Sequence, residues 1–218
     1  MKILAVDTAT EACSAALLCE SKVTERYQLD PRGHSRRLMS MIEALLFEAG
    51  VARTDLDGIA YDCGPGSFTG IRIGAGVAQG LALGLNRPLL GLSSLMTLAE
   101  EVKGDRVLPA IDARMGEVYW ARLARDEESG EGCVWRDEAR VSVPAVVPKL
   151  MIDEIGVGSG WDGYSDAFGV AENDPQRWLP DRCPRASDIS RIACRCFDSG
   201  VVSGGQIVPP IYIRDAVT

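Results

Sequence analysis

The stretch from Thr69 to Leu85 (TGIRIGAGVAQGLALGL) carries glycines at 70, 74, 76, 80 and 84 in an otherwise apolar segment. Each interior glycine costs a helix about 1 kcal/mol relative to alanine, so close packing has to compensate. At about 100° per residue, Gly74, Ala78 and Ala82 share one face with Ile71, Val77, Leu81 and Leu85. Gly76, Gly80 and Gly84 lie on the opposite face, near Ile73 and Leu83, and only Arg72 and Gln79 interrupt the apolar surface. A helix apolar nearly all round must be covered on all sides. One face fits a sheet. The other, with small residues spaced by four, lets a second helix approach to backbone distance. That second helix is either the first helix of this chain or a helix of a partner.

The first helix is expected over about Ser35–Ala49. Leu38, Met39, Met41, Ile42, Leu45, Leu46 and Ala49 cover an arc of roughly 160°, wider than the roughly 100° stripe a sheet-packed helix needs. Phe47 points the other way. Two readings stand: a generously covered core helix, or a stripe whose edge is meant for another chain. The second gives a partner-binding set of Leu38, Met41, Ile42 and Leu45 with Ile73, Gly76, Gly80 and Leu83 from the glycine helix. Arg36 and Arg37 sit in the first turn against the macrodipole, as a solvated pair or facing an acidic partner.

Around these helices the chain alternates strand and helix. Strands are expected at Lys2–Val6, Cys13–Cys19, Gly58–Tyr61 and Leu89–Leu92. The pattern then restarts, with strands at Val107–Ile111 and Glu117–Leu123 about a turn at Met115-Gly116. A solvated acidic loop follows at Asp126–Gly132, then a short helix at Pro144–Met151. A strand at Ile155–Val157 runs into a Gly-rich turn to Gly163. A helix at Ile189–Phe197 and a strand at Ile211–Ile213 complete it. Two such α/β units in tandem predict two lobes, 1–100 and 101–218, each a mixed sheet with helices.

The chain has 218 residues, 46% of them hydrophobic, enough for a sizeable core. Its net charge of -8 argues against unaided nucleic-acid binding, which needs a surplus of Lys and Arg. Seven cysteines without a CxxC pair read as reduced thiols of a cytoplasmic protein, mostly small core residues. The apolar start ends at Asp7, too short for a signal peptide, and no run of 18 apolar residues marks a membrane span.

The turn Gly64–Gly70 (GPGSFTG) opens the glycine helix. Backbone N–H groups there can cradle an anion, or Ser67 or Thr69 simply caps the helix. Asp7, at the end of the first strand, is either a metal or phosphate-magnesium ligand or a turn-forming residue. Asp112 ends a strand of the second lobe in the same way. Asp7, Thr8, Ser67 and Asp112 are therefore the candidate nucleotide or anion contacts. His34 is the single histidine, so a zinc site or a Ser-His-Asp device built on several histidines is excluded, and a surface or capping role is expected.

Five segments carry a family resemblance: ILAVDTAT at 3–10, HSRRL at 34–38, GPGSFTGIRIG at 64–74, AIDARMGEVY at 110–119 and PIYIR at 210–214. In this order they resemble the TsaB (YeaZ) family of bacterial tRNA threonylcarbamoyladenosine modification. The resemblance implies an actin-like, ribonuclease H-like fold. It implies a non-catalytic subunit that supports the catalytic paralogue TsaD beside the small ATPase TsaE, homodimerises when alone and reaches tRNA only through the complex. Both protein contacts would use the two N-lobe helices. No cofactor is expected on the chain alone, and ATP or ADP would belong to the complex interface. TsaD carries a second metal-binding histidine four residues after its first. Leu38 stands at that place here, so no metal site is expected. Two alternatives remain: an actin-fold ATPase or small-molecule kinase using Asp7 and Asp112, and a metallopeptidase, which the solitary histidine disfavours.

Overall fold

The computed structural model describes residues 1–125, 135–136, 138–168, 177–199 and 209–213. The expected acidic loop at 126–132 and Arg214 lie outside them.

The first sheet is built by β1 (Lys2–Asp7), β2 (Ala12–Cys19), β3 (Lys22–Leu29), β4 (Gly58–Gly64) and β5 (Leu89–Ser93), in the order β3-β2-β1-β4-β5. The β1–β2 and β2–β3 pairs are antiparallel, and the β1–β4 and β4–β5 pairs are parallel. β1 and β4 are buried almost throughout, as the central strands of a sheet covered on both faces must be. Helices α1 (His34–Ala49) and α2 (Phe68–Leu85) cover one face. The other is covered by α5 (Ala186–Asp198). The sequence places α5 within 101–218, yet it packs on the first sheet. The chain therefore crosses back between lobes, an exchange no local periodicity can signal.

The second sheet uses β6 (Arg106–Arg114), β7 (Glu117–Trp120), β8 (Leu123–Arg125), β9 (Trp135–Arg136), β10 (Arg140–Ser142), β11 (Ile155–Val157) and β12 (Trp178–Leu179). Its main order is β10-β7-β6-β11-β12, with β8 pairing β6 and β9. β7 runs antiparallel to β6 and β11 runs parallel to it, repeating the β2-β1-β4 arrangement. The two sheets thus share an order that the sequences of the halves do not display. Two short helices, α3 (Ser94–Glu100) and α4 (Ser159–Tyr164), and a 3-10 turn at Arg53–Asp55 lie between the strands. This doubled order defines an actin-like, ribonuclease H-like fold.

Several expectations are corrected. β3 was missed because KVTERYQL is a charged edge strand without an apolar run. The helix expected at Pro144–Met151 shrinks to a 3-10 turn over Pro144–Val146. Pro148 explains this, because proline lacks the N–H a helix needs and disfavours helical backbone before it. Ile211–Ile213 is not a strand. It makes one backbone bond, Ile211 N–H to the Cys63 carbonyl at 2.7 Å. Among the described residues five cysteines are free thiols, but Cys196 is in a disulfide, contrary to the all-thiol expectation.

Candidate functional site

Two features stand out: a cleft between the lobes and an uncovered helix face. The cleft has a volume of about 930 Å³. One wall is the turn after β1 (Ala9, Thr10, Glu11) and the start of α2. The opposite wall is the end of β6, and the segment Ile211–Ile213 forms a third side.

The start of α2 explains its glycines. Thr8 Oγ donates to the Gly70 carbonyl at 2.7 Å. A Cβ on Gly70 would sit 2.0 Å from the Thr8 carbonyl oxygen, and one on Gly66 would sit 2.2 Å from that of Ala9. The helix can enter this close to β1 only with its backbone bare. Ser67 caps the helix by accepting from the Gly70 N–H at 3.3 Å.

The four candidate nucleotide or anion contacts divide. Ser67 and Asp112 line the cleft. Asp112 Oδ1 accepts from its own loop, the Arg114 N–H at 2.8 Å, and Oδ2 pairs with the Arg114 guanidinium at 3.1 Å. Asp7 and Thr8 do not line the cleft and are fully buried beneath it. Asp7 accepts the Ala9 N–H at 2.8 Å, forming the turn that was one of its two readings. Its neighbour on β4, Asp62, is equally buried and was not foreseen. An acid inside the apolar strand GIAYDCG was the available signal. Also missed was the stack at the cleft mouth, where the Arg72 guanidinium lies 3.1 Å from the Phe68 ring centroid and 5.0 Å from that of Tyr212.

His34 does not have the surface or capping role expected of it. It is buried, and its Nε2 donates to the Thr10 carbonyl at 2.8 Å, fastening α1 to the turn after β1. Among the described residues, no group of three or more His, Cys, Asp or Glu could hold a metal ion.

The partner-binding set also divides. Leu38, Ile42 and Leu45 belong to the core beneath α1, with at most 1% of their surface exposed. Met41 and Ile73 are half-buried against that core. Leu38, Ile42 and Leu45 are corrected to packing residues of the chain itself, the plainer of the two readings of α1, while Met41 and Ile73 keep part of their surface open. The wide stripe packs chiefly on β2 and reaches α2 and β3 at its edges. Arg37 pairs with Asp30, whose carboxyl the guanidinium holds below its usual range, so Arg37 needs no outside acid.

Gly76, Gly80 and Leu83 are exposed, Leu83 to 86%. A Cβ on Gly76, Gly80 or Gly84 would meet nothing within 4 Å. The opposite glycine line, by contrast, faces the sheet, with Gly74, Ala78 and Ala82 buried. Phe47 on α1 is 88% exposed. α2 is long and apolar enough to cross a membrane by length and composition, but its inner face is taken by the sheet.

A sheet order repeated across two lobes about a cleft defines the actin-like class, and comparison with known proteins narrows it. The family model described as TsaD, tRNA N6-adenosine threonylcarbamoyltransferase, matches residues 28–138. The tRNA threonylcarbamoyladenosine biosynthesis protein TsaB of Escherichia coli is 42% identical over 230 residues, spanning 100% of this chain and 96% of that protein. Its namesake from Haemophilus influenzae is 39% identical over 229 residues, covering 100% and 95%. The solved structure of YeaZ from Pseudomonas aeruginosa superimposes with a TM-score of 0.84 at 37% identity, over 97% of this chain and 99% of that one. The chain belongs to the TsaB family.

Proposed function

We propose that this chain is a non-catalytic subunit of tRNA threonylcarbamoyladenosine biosynthesis, docking a TsaD-related catalytic paralogue through the outer face of α2 and the exposed side of α1. The observation that carries the reading is the open line of Gly76, Gly80 and Gly84 beside the exposed Leu83. Apolar surface of this kind on a helix is costly in water and marks a contact site. The bare backbone sets how closely a partner helix lies. The full-length likeness to proteins named for this pathway supplies the process.

In this reading the same face closes a homodimer when the paralogue is absent, so the two assemblies compete. A TsaE-like ATPase joins the complex, and tRNA is reached only through it, in keeping with the net charge of -8. Adenine nucleotide belongs to the assembled interface and not to this chain alone. The protein works in the cytoplasm. An ATPase or kinase acting through Asp7 and Asp112 is disfavoured because Asp7 is sealed from the cleft. A coupled test mixes the chain with a TsaD-related protein, a TsaE-like ATPase and tRNA. Modification should require this chain, survive Asp112→Ala, and fail with Gly76→Arg. Modification that proceeds without the chain would refute the reading.

A further inference from the structure

Asp7 and Asp62 occupy neighbouring places on parallel strands, each one residue beyond the Val6–Tyr61 register pair. Both are buried to within 1%. Each carboxyl uses its Oδ1 to fasten a loop. Asp7 Oδ1 accepts from Ala9 N–H at 2.8 Å, and Asp62 Oδ1 accepts from Gly64 N–H at 2.8 Å and Ser94 Oγ at 2.5 Å. The two Oδ2 atoms are buried and receive no bond from any N–H or hydroxyl donor among the described residues. Two facing carboxylates with no donor between them are unfavourable in a dry interior, and one proton removes the conflict. The proton belongs on Asp7, because two outside donors already stabilise a charge on Asp62 and only one serves Asp7.

We propose that Asp7 and Asp62 are a proton-sharing pair, with the Asp7 O–H donating to Asp62, that ties together the two loops flooring the cleft. These loops run from Asp7 to Glu11 and from Asp62 to Ser67, and both line or enter the cleft. The surroundings favour a proton over a fixed charge. Glu25 of β3 is the further charge acting on Asp7, and it is acidic. Cys13 of β2, Tyr27 of β3 and Cys183 feel the charge of Asp7, while Tyr61 and Cys63 of β4 feel that of Asp62. α5, packed across β1 and β4, adds the buried acid Asp188. The cations nearby are engaged by other groups: Arg185 pairs with Glu25 and acts on Tyr27, Arg191 pairs with Asp188, and Arg37 acts on Cys13. The charges that act on Asp7 itself, Asp62 and Glu25, are both acidic. Burial, and then the charge of Asp62, push the Asp7 carboxyl well above the usual carboxylate range.

The test uses the full chain. Infrared difference spectra at pH 7 should show a protonated carboxylic acid band that disappears in both Asp7→Asn and Asp62→Asn. Asparagine at position 7 keeps the bond from Ala9 and offers an N–H to Asp62, so Asp7→Asn should melt no lower than the parent at pH 8, while Asp7→Ala should melt lower. Magnesium and manganese should leave the parent melting temperature unchanged. Absence of the acid band, or a rise in melting temperature with either metal that Asp7→Asn abolishes, would overturn the proposal and make the pair a cation site. Should Asp7→Asn not fold, the loss or persistence of the band in Asp62→Asn decides the matter alone.

Discussion

At the residue scale, identical residue types serve opposite ends. Gly70 and Gly74 are bare because Thr8 presses on them, whereas Gly76, Gly80 and Gly84 face open space. Alanine at Gly80 or Gly84 should therefore raise the stability of the isolated chain by up to about 1 kcal/mol each, through helix propensity. Alanine at Gly70 should lower it by more than that, since the new Cβ would stand 2.0 Å from a backbone oxygen. Urea unfolding of the three variants measures both signs. Spacing alone sorted the glycines onto the correct faces, because helical geometry is local. The burial of Asp7, Thr8 and His34 was not legible, because it depends on α2 and α5 closing over β1. A second residue-scale prediction concerns Asp188. Burial is the main cause raising its carboxyl to about 6, partly offset by Arg191 and reinforced by Glu101, Glu25 and Glu100. A raised carboxyl binds its proton more tightly in the fold than in the unfolded chain. Its contribution is complete below the ordinary 3.8 and is lost as pH rises through about 6. Stability measured between pH 4 and 7 should fall less steeply in Asp188→Asn than in the parent.

At the element scale, α1 and α2 differ in what their sequences could disclose. The arc of α1 was wide enough for two surfaces, and the structure assigns Leu38, Ile42 and Leu45 to one core, leaving Phe47 outside. The two faces of α2 were separable from the start, since one line of glycines could meet the sheet and the other could not. Leu83→Asp should leave the melting temperature of the monomer within a degree or two, because the side chain is 86% exposed. If the same face closes the proposed homodimer, this change should shift sedimentation from dimer to monomer. α5 is the element whose place the sequence concealed. Its Ile189, Ile192 and Ala193 close the second face of the first sheet, and Arg185 and Arg195 pair with Glu25 and Glu100. A chain ending before Ala186 should accordingly lose cooperative unfolding and bind a hydrophobic dye, as circular dichroism melts and fluorescence would report.

At the scale of the whole molecule, the strand-helix alternation predicted two mixed α/β lobes, and the two sheets repeat one order. What alternation could not show is that the lobes are tied by a crossing helix, or that the cleft is floored by two buried acids and not lined by them. The cleft and the glycine face are separate surfaces of the chain. That separation leaves the outer helix face open to a partner whatever occupies the cleft, as the proposed docking role requires. On the proposed reading the open side of α2 is a contact built for a neighbouring chain. Size-exclusion chromatography with light scattering, on the chain mixed with a TsaD-related subunit, tests it most directly. The parent should elute as a complex, and Gly76→Arg and Gly80→Leu as separate components whose monomers melt no lower than the parent. Complexes that persist through both substitutions would contradict the account.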